Sequence, residues 1–263
     1  MSWLKGLLIN LQFFTTIPIP FALPMDEGHI RKAIKTFPLL GLFQGAIYAF
    51  LLFMLIEWSP FSNLTAAFFV WLAAILLTGG IHLDGWIDAS DAFFSYRDQE
   101  KRLEIMKDPR TGAFGVLSVI VLLAAKFLFI YETIQMLEPL TYIFIVFIPF
   151  FSKMVMGALL VRVKAAKKEG LGSLFKKAAK KYTLVIFPIY LMIILAAAAL
   201  LSLQTLSGIV CFIVVSFLLL LILQKKIIHW FGGLTGDVLG ASSEGTEVLL
   251  WMTLWLLHYF AMG

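Results

Sequence analysis

Apolar runs near Leu39 to Ile56, Leu64 to Ile81, Val116 to Tyr131, Leu140 to Val161, Leu184 to Leu203, Leu206 to Leu223 and Val248 to Met262 dominate this sequence. With soft edges, each approaches the roughly 20 residues that a helix needs to cross a hydrocarbon core about 30 Å thick. In lipid only helices and closed barrels satisfy every backbone group, and runs of this length are helical rather than strand-like. Hydrophobic residues make up 61% of the 263-residue chain and charged residues 14%, and the mean hydropathy is +0.94. That composition excludes an ordinary soluble globular domain. The expected fold is all-α, a polytopic integral membrane helical bundle with about seven transmembrane helices, organised as a single domain over residues 1–263.

The polar segments between the runs alternate in charge. Lys and Arg occupy segments 20–38, 82–115, 162–182 and 224–247, whereas the connections near Glu57, Glu132 and Gln204 contain none. By the positive-inside rule all four basic segments are cytoplasmic, which predicts a multi-pass protein of the inner cell membrane with its functional loops facing the cytoplasm. The net charge of +5 therefore reads as membrane orientation and predicts no nucleic-acid partner. A single cysteine, Cys211, lies inside an apolar run and supports neither a disulfide framework nor a cysteine metal site.

The first twenty residues place Trp3, Leu7, Leu8, Leu11 and Phe14 at helical spacing and end in Pro18 and Pro20 rather than at a small-residue cleavage site. They predict an N-terminal interfacial or re-entrant helix, with an eighth span as the alternative.

The stretch Gly79 to Gly115, GGIHLDGWIDASDAFFSYRDQEKRLEIMKDPRTGAFG, is dense in carboxylates. If the second span continues as a helix past Ile81, then Asp84, Asp88 and Asp91 fall at i, i+4 and i+7, within about 60° of one another on one face. A divalent cation would remove the mutual repulsion of such a triad, and all-oxygen ligands favour Mg²⁺ or Mn²⁺ over Zn²⁺. The alternative is a solvated helix end whose acids pair with Arg97, Lys101 and Arg102. Gly85 suits either close approach of a ligand or close helix packing. His82 is either a ligand for metal or phosphate or a buried, hydrogen-bonded core histidine.

Further on, Lys107, Arg110 and the backbone amides of KDPRTGAFG would suit phosphate, or would form a basic helix cap at the membrane boundary. The loop GGLTGDVLGASSEGTE carries Gly232, Gly233, Gly236 and Gly240, more glycine than a plain connection needs, together with Thr235, Asp237, Glu244 and Glu247. No Lys follows these glycines, so it is not a Walker A loop. Lys126 and Lys153 lie within spans, where a bilayer-centre cation costs at least about 2.5 kcal/mol unless it pairs or snorkels. They either line a polar cavity or reach the interface. The run from Arg162 to Lys181 would contact anionic lipid headgroups or attract an anionic substrate.

Gly79, Gly80, His82, Asp84, Gly85, Asp88 and Asp91, then LEIMKDPRTGAFGVL, then GGLTGDVLGA, resemble the cobalamin synthase family, the adenosylcobinamide-GDP ribazoletransferases, in three separated motifs in the right order. QFFTTIPIP and FPLLGLFQG extend the resemblance over nearly the whole chain. One departure is Thr16, where relatives commonly carry Arg; Arg31 or Lys32 would have to replace any phosphate contact made there.

The resemblance implies Mg²⁺-dependent transfer at the membrane. The cobinamide phosphate of adenosylcobinamide-GDP would pass to a ribose hydroxyl of α-ribazole or its 5′-phosphate, with release of GMP. On that reading Asp84, Asp88 and Asp91 hold Mg²⁺, Asp237 and Glu244 complete the cage, and Asp91 or His82 is the general base. Lys107 and Arg110 would meet the diphosphate, and Gly232, Gly233, Thr235 and Gly236 the nucleotide. The competing classes are an ion-coupled transporter, disfavoured by acids clustered at one face and by the lack of an internal repeat, and a non-catalytic membrane scaffold for cobamide assembly. A homo-oligomer stays open, because faces rich in Phe and Ala serve equally against the lipid bilayer or a second copy.

Overall fold

The computed structural model describes residues 2–166 and 170–262. Among these residues the regular structure is helical: α1 (Ser2–Phe14), α2 (Glu27–Glu57), α3 (Asn63–Thr78), α4 (Ile81–Phe94), α5 (Gln99–Ile105) and α6 (Ala113–Gln135) lead to the central helix α7 (Pro139–Arg162). A short α8 (Leu171–Ala178) and a 3₁₀ turn (Lys181–Val185) follow, then α9 (Ile186–Leu201), α10 (Leu203–Phe231), α11 (Gly236–Leu257) and a closing π turn (His258–Met262). Lys167 and Lys168 of the basic run lie outside the described residues.

Five helical stretches among the described residues are long and apolar enough to cross a membrane: Glu27–Glu57, Ala113–Gln135, Pro139–Arg162, Lys181–Leu201 and Leu203–Phe231. A sixth forms if α3 and α4, bent by 86° at their junction, count as one broken span. The seventh apolar run is the C-terminal part of α11, whose first half carries Asp237, Glu244 and Glu247 and so falls below the apolarity of a self-evident span. At 1.5 Å per residue the 13-residue α1 reaches only about 20 Å, short of a bilayer crossing. The expected continuous helix past Ile81 is not formed. Gly79 and Gly80 adopt φ of 63° and 74°, a left-handed pair that ends α3 and restarts the chain as α4 in a new direction.

α7 is the most enclosed span and packs against α2, α10 and α11. Where α2 crosses it, Gly41 and Gly45 lie directly on the backbone of Pro149 and Val146, and any side chain at either glycine would overlap that backbone. Lipid offers apolar side chains no gain from leaving water, so such close backbone contact is what holds membrane helices together. α1 is anchored beside α2 by Asn10, whose Nδ2 donates to Ala33 O at 2.8 Å and Thr36 Oγ1 at 3.0 Å. Large apolar side chains of α9 and α10, such as Met192, Leu200 and Phe217, remain on the outer surface.

Candidate active site

The site begins at the glycine break. Turning the chain there brings α4 across the start of α11, and the crossing is closed by glycine on both sides. A Cβ on Gly85 would stand 2.6 Å from Asp237 O, and one on Gly240 would stand 3.2 Å from His82 Cα. Asp84 precedes Gly85 and Asp237 lies opposite it, so helix packing alone brings a carboxylate from each motif to the same place. Gly85 is therefore a packing glycine. Thr235 caps α11 by accepting from Val238 N–H at 3.1 Å, and its hydroxyl meets the Met106 sulfur at 3.8 Å, joining the end of α5 to this corner.

Around the crossing lies a cavity of about 820 Å³, within the roughly 300–1,000 Å³ of small-molecule sites. Of the residues singled out from the three motifs, His82, Asp84, Lys107, Thr235, Gly236, Asp237 and Gly240 line it. Glu100 and Glu104 of α5 and the aromatic rings of Phe14, Phe37 and Phe175 also line it, and the motif reading had not assigned them. Phe175 falls inside the basic run from Arg162 to Lys181, where no sequence signal singled it out.

The remaining candidates have other partners. Asp91 Oδ2 accepts from Gly112 N–H and Oδ1 from Gly115 N–H, both at 2.7 Å. Gly112 begins α6 without a side-chain cap of its own, so Asp91 supplies that cap from another helix. A side chain at Gly112 or Gly115 would collide with the carboxylate, which explains these two glycines of KDPRTGAFG. The amides expected to meet phosphate are thus given to Asp91, and Asp91 lies outside the cavity lining. Asp88, one turn beyond Asp84, is half-buried and also outside that lining.

Arg110 is not among the residues that line the cavity. It is 87% exposed and pairs with Asp108 at 2.7 Å, and that guanidinium holds the Asp108 carboxyl down to about 2. Gly232 closes α10 with φ of 69°, and Gly233 packs on the backbone of residues 164–166. There Ala165 and Leu234 form a parallel bridge, with Leu234 N–H donating to Lys164 O at 2.8 Å. These two glycines shape the loop rather than line the cavity. Thr16, noted above as a departure from the family resemblance, donates its hydroxyl to Leu76 O at 3.0 Å and braces the glycine break. Arg31 donates to Ala178 O at 3.1 Å and lies over the Tyr182 ring, holding α8.

Glu244 is two turns deeper on α11 than Asp237 and is committed elsewhere. Lys126 Nζ donates to Glu244 at 3.0 Å and to Glu247 at 2.9 Å. Lys153 donates to Ser243 Oγ at 2.8 Å and lies 3.6 Å from Glu247. All four charged side chains are buried, two of each sign, in a neutral cluster that ties α6 and α7 to α11. Lys126 and Lys153 therefore neither snorkel nor line the cavity; they neutralise the carboxylates of α11. Glu247 stands three residues after Glu244 on the same face, a spacing that marks both as a pair.

Among the described residues no group of three or more His, Cys, Asp or Glu side chains is gathered to hold a metal ion. Asp84 and Asp237, two of the four carboxylates that line the cavity, nonetheless suit Mg²⁺, which commonly takes one or two protein carboxylates and completes its shell with water and substrate phosphate. A larger all-protein cage including Asp91 and Glu244 is not formed, since both are engaged as described.

A multi-helix membrane protein with an acid-lined cavity at one end of its bundle is the class this architecture defines. The chain belongs to the cobalamin-5-phosphate synthase family, whose model matches residues 6–255. It is 38% identical over 265 residues to the adenosylcobinamide-GDP ribazoletransferase of Geobacillus sp. (strain WCH70), covering 99% of this chain and 98% of that one. The protein of the same name from Geobacillus kaustophilus (strain HTA426) is 38% identical over 270 residues, covering 100% and 99%. That of Clostridioides difficile (strain 630) is 33% identical over 263 residues, covering 97% and 99%. No solved structure matches the chain.

Proposed function

We propose that this protein is an adenosylcobinamide-GDP ribazoletransferase, joining adenosylcobinamide-GDP to α-ribazole or its 5′-phosphate with release of GMP, and that it works at the cytoplasmic face of the inner membrane. The observation that carries the reading is the meeting of Asp84, Lys107 and Asp237 in one cavity, from three motifs far apart in sequence, in a chain that matches such transferases over nearly its full length. The cytoplasmic orientation rests on the basic segments that border the cavity.

The reaction is a phosphoryl transfer from a diphosphate to an alcohol. A ribose hydroxyl oxygen forms the new bond to the cobinamide phosphorus, the bond to the GMP oxygen breaks, GMP leaves with that electron pair, and the hydroxyl proton is taken up. Such a transfer needs alignment and charge neutralisation more than covalent help. Asp84 and Asp237 would hold Mg²⁺, which when bound neutralises the diphosphate and favours the ionised nucleophile. Lys107 binds phosphate oxygens and stabilises the departing GMP. The carboxylate of Asp84 or Asp237 nearer the attacking hydroxyl takes its proton. Asp91 acts indirectly, by fixing the start of α6 against α4.

A transporter reading would route ions through Lys126, Lys153, Glu244 and Glu247. Those four groups pair with each other and none lines the cavity, which favours the enzyme. The test is GMP release by the purified protein in detergent or nanodiscs, requiring both substrates and abolished by EDTA. Product formed without added divalent metal, in the presence of chelator, would remove the Mg²⁺ assignment. No GMP with both substrates and Mg²⁺ would remove the transferase reading.

A further inference from the structure

The short helix α5 and the turn that follows it present two faces. Glu100, Leu103, Glu104 and Lys107 recur at i, i+3, i+4 and i+7, a single helical stripe, and all four line the cavity. Gln99 and Arg102, at i and i+3 on another face, do not line it. They reach the end of α10 instead. Gln99 Nε2 donates to Ile228 O at 3.2 Å and to His229 O at 2.9 Å, and Arg102 Nη1 donates to Trp230 O at 3.0 Å. The last carbonyls of a helix lack partners further along it and carry partial negative charge, so a cation or amide from another helix is a favourable cap. The Arg102 guanidinium also lies 5.6 Å from the centroid of the Phe93 ring, which packs on Trp230 at 4.5 Å. Arg102 therefore sits where α4, α5 and α10 meet.

Apolar packing alone holds α5 weakly. A helix of seven residues is marginal by itself, no residue of Gln99–Ile105 is fully buried, and Leu103 and Ile105 are only partly covered by the core. Met106, 5% exposed, pins the end of the helix against Thr235. One apolar anchor fixes where α5 ends but not how the helix is turned about its axis; the polar contacts to α10 supply that second constraint. We propose that Arg102, assisted by Gln99, is a positioning residue for Lys107: by docking one face of α5 on the last turn of α10, it keeps the opposite stripe, and the Lys107 ammonium with it, at the cavity. The proposal rests on the transferase reading, in which Lys107 binds phosphate oxygens, and it adds the contact that holds that lysine in place. Arg102 itself touches no reactant. Without its donors α5 turns about the Met106 anchor and Lys107 leaves the cavity wall, while the rest of the bundle stays as it is.

The test is a double-mutant cycle on the full-length protein in nanodiscs, read as kcat/KM for adenosylcobinamide-GDP and KM for α-ribazole. Arg102→Met keeps the aliphatic stem and removes the guanidinium, Arg102→Lys keeps a cationic donor, and Lys107→Ala removes the lysine that is held. Arg102→Met should lower donor kcat/KM about tenfold, with acceptor KM and melting temperature unchanged, and Arg102→Lys should recover part of the loss. In the Lys107→Ala background the same Arg102→Met change should cost less than about twofold, because nothing is left for Arg102 to position. A full tenfold loss in both backgrounds, or a loss shared by donor and acceptor together with a fall in melting temperature, would overturn the proposal. Hydrogen–deuterium exchange of the same proteins reads the docking without turnover. Residues 99–107 should exchange faster in Arg102→Met while α4 and α6 keep their protection; unchanged exchange over 99–107 would also overturn it. Absence of GMP from the wild type would instead count against the transferase reading, and the exchange result stands apart from that outcome.

Discussion

Helix α11 carries acids in two settings that differ as much as one membrane helix allows. Asp237, in its first turn, lines the cavity beside Asp84 and Lys107, whereas Glu244 and Glu247, two to three turns deeper, are buried against Lys126 and Lys153. The residue chemistry is the same and the partners are opposite. A carboxylate at a cavity wall can be reached by a ligand, while one buried in the bundle must be neutralised from within. The deep cluster thus fixes α11 against α6 and α7, and the first turn of the same helix lies at the cavity.

The comparison breaks most visibly if the deep cluster is opened. Lys126→Met should strand Glu244 and Glu247 with a single cation and cost about 3–5 kcal/mol, read as a large fall in melting temperature and yield in detergent. Adding Glu244→Gln should recover part of that loss; a single variant as stable as the parent would show that the cluster does not hold the bundle. At the other end of α11, Asp84→Asn and Asp237→Asn should each lower GMP release by about a hundredfold or more with the melting temperature unchanged. Equal loss of stability in both would erase the distinction between the two settings.

Asp91→Ala tests the boundary between them. As a helix cap it should cost about 0.5–2 kcal/mol of stability and reduce activity less than Asp84→Asn does. Activity lost as fully as in Asp84→Asn, at unchanged stability, would return Asp91 to the reacting centre. The smallest effect belongs to Arg110→Ala, which should leave both turnover and melting temperature within error because the side chain pairs only with Asp108 at the surface. A clear rise in donor KM would instead place Arg110 on the diphosphate.

Much of this was legible in the sequence. The apolar runs announced an all-α membrane bundle, because span length is a property of the chain itself. Asp84, Lys107, Thr235, Gly236 and Asp237, named from the three motifs, line one cavity. The helical spacing of Asp84, Asp88 and Asp91 was also right, since all three lie on α4. Spacing could not reveal that Asp91 caps α6, because its partners Gly112 and Gly115 come from another element. Nor could it show that Glu244 answers Lys126, 118 positions away.

Sequence by itself determined the solvent of the fold and its helical class, both of which follow from hydropathy read along one dimension. Tertiary structure decided which carboxylates line the cavity and which are buried against other helices. Two adjacent glycines turn α4 through 86° onto α11, and glycine contacts bring Asp84 and Asp237 together. Asp91 and Glu244 are meanwhile taken up by amides and a lysine from other helices. An acid's role in lipid is set by what stands opposite it, and only packing determines that.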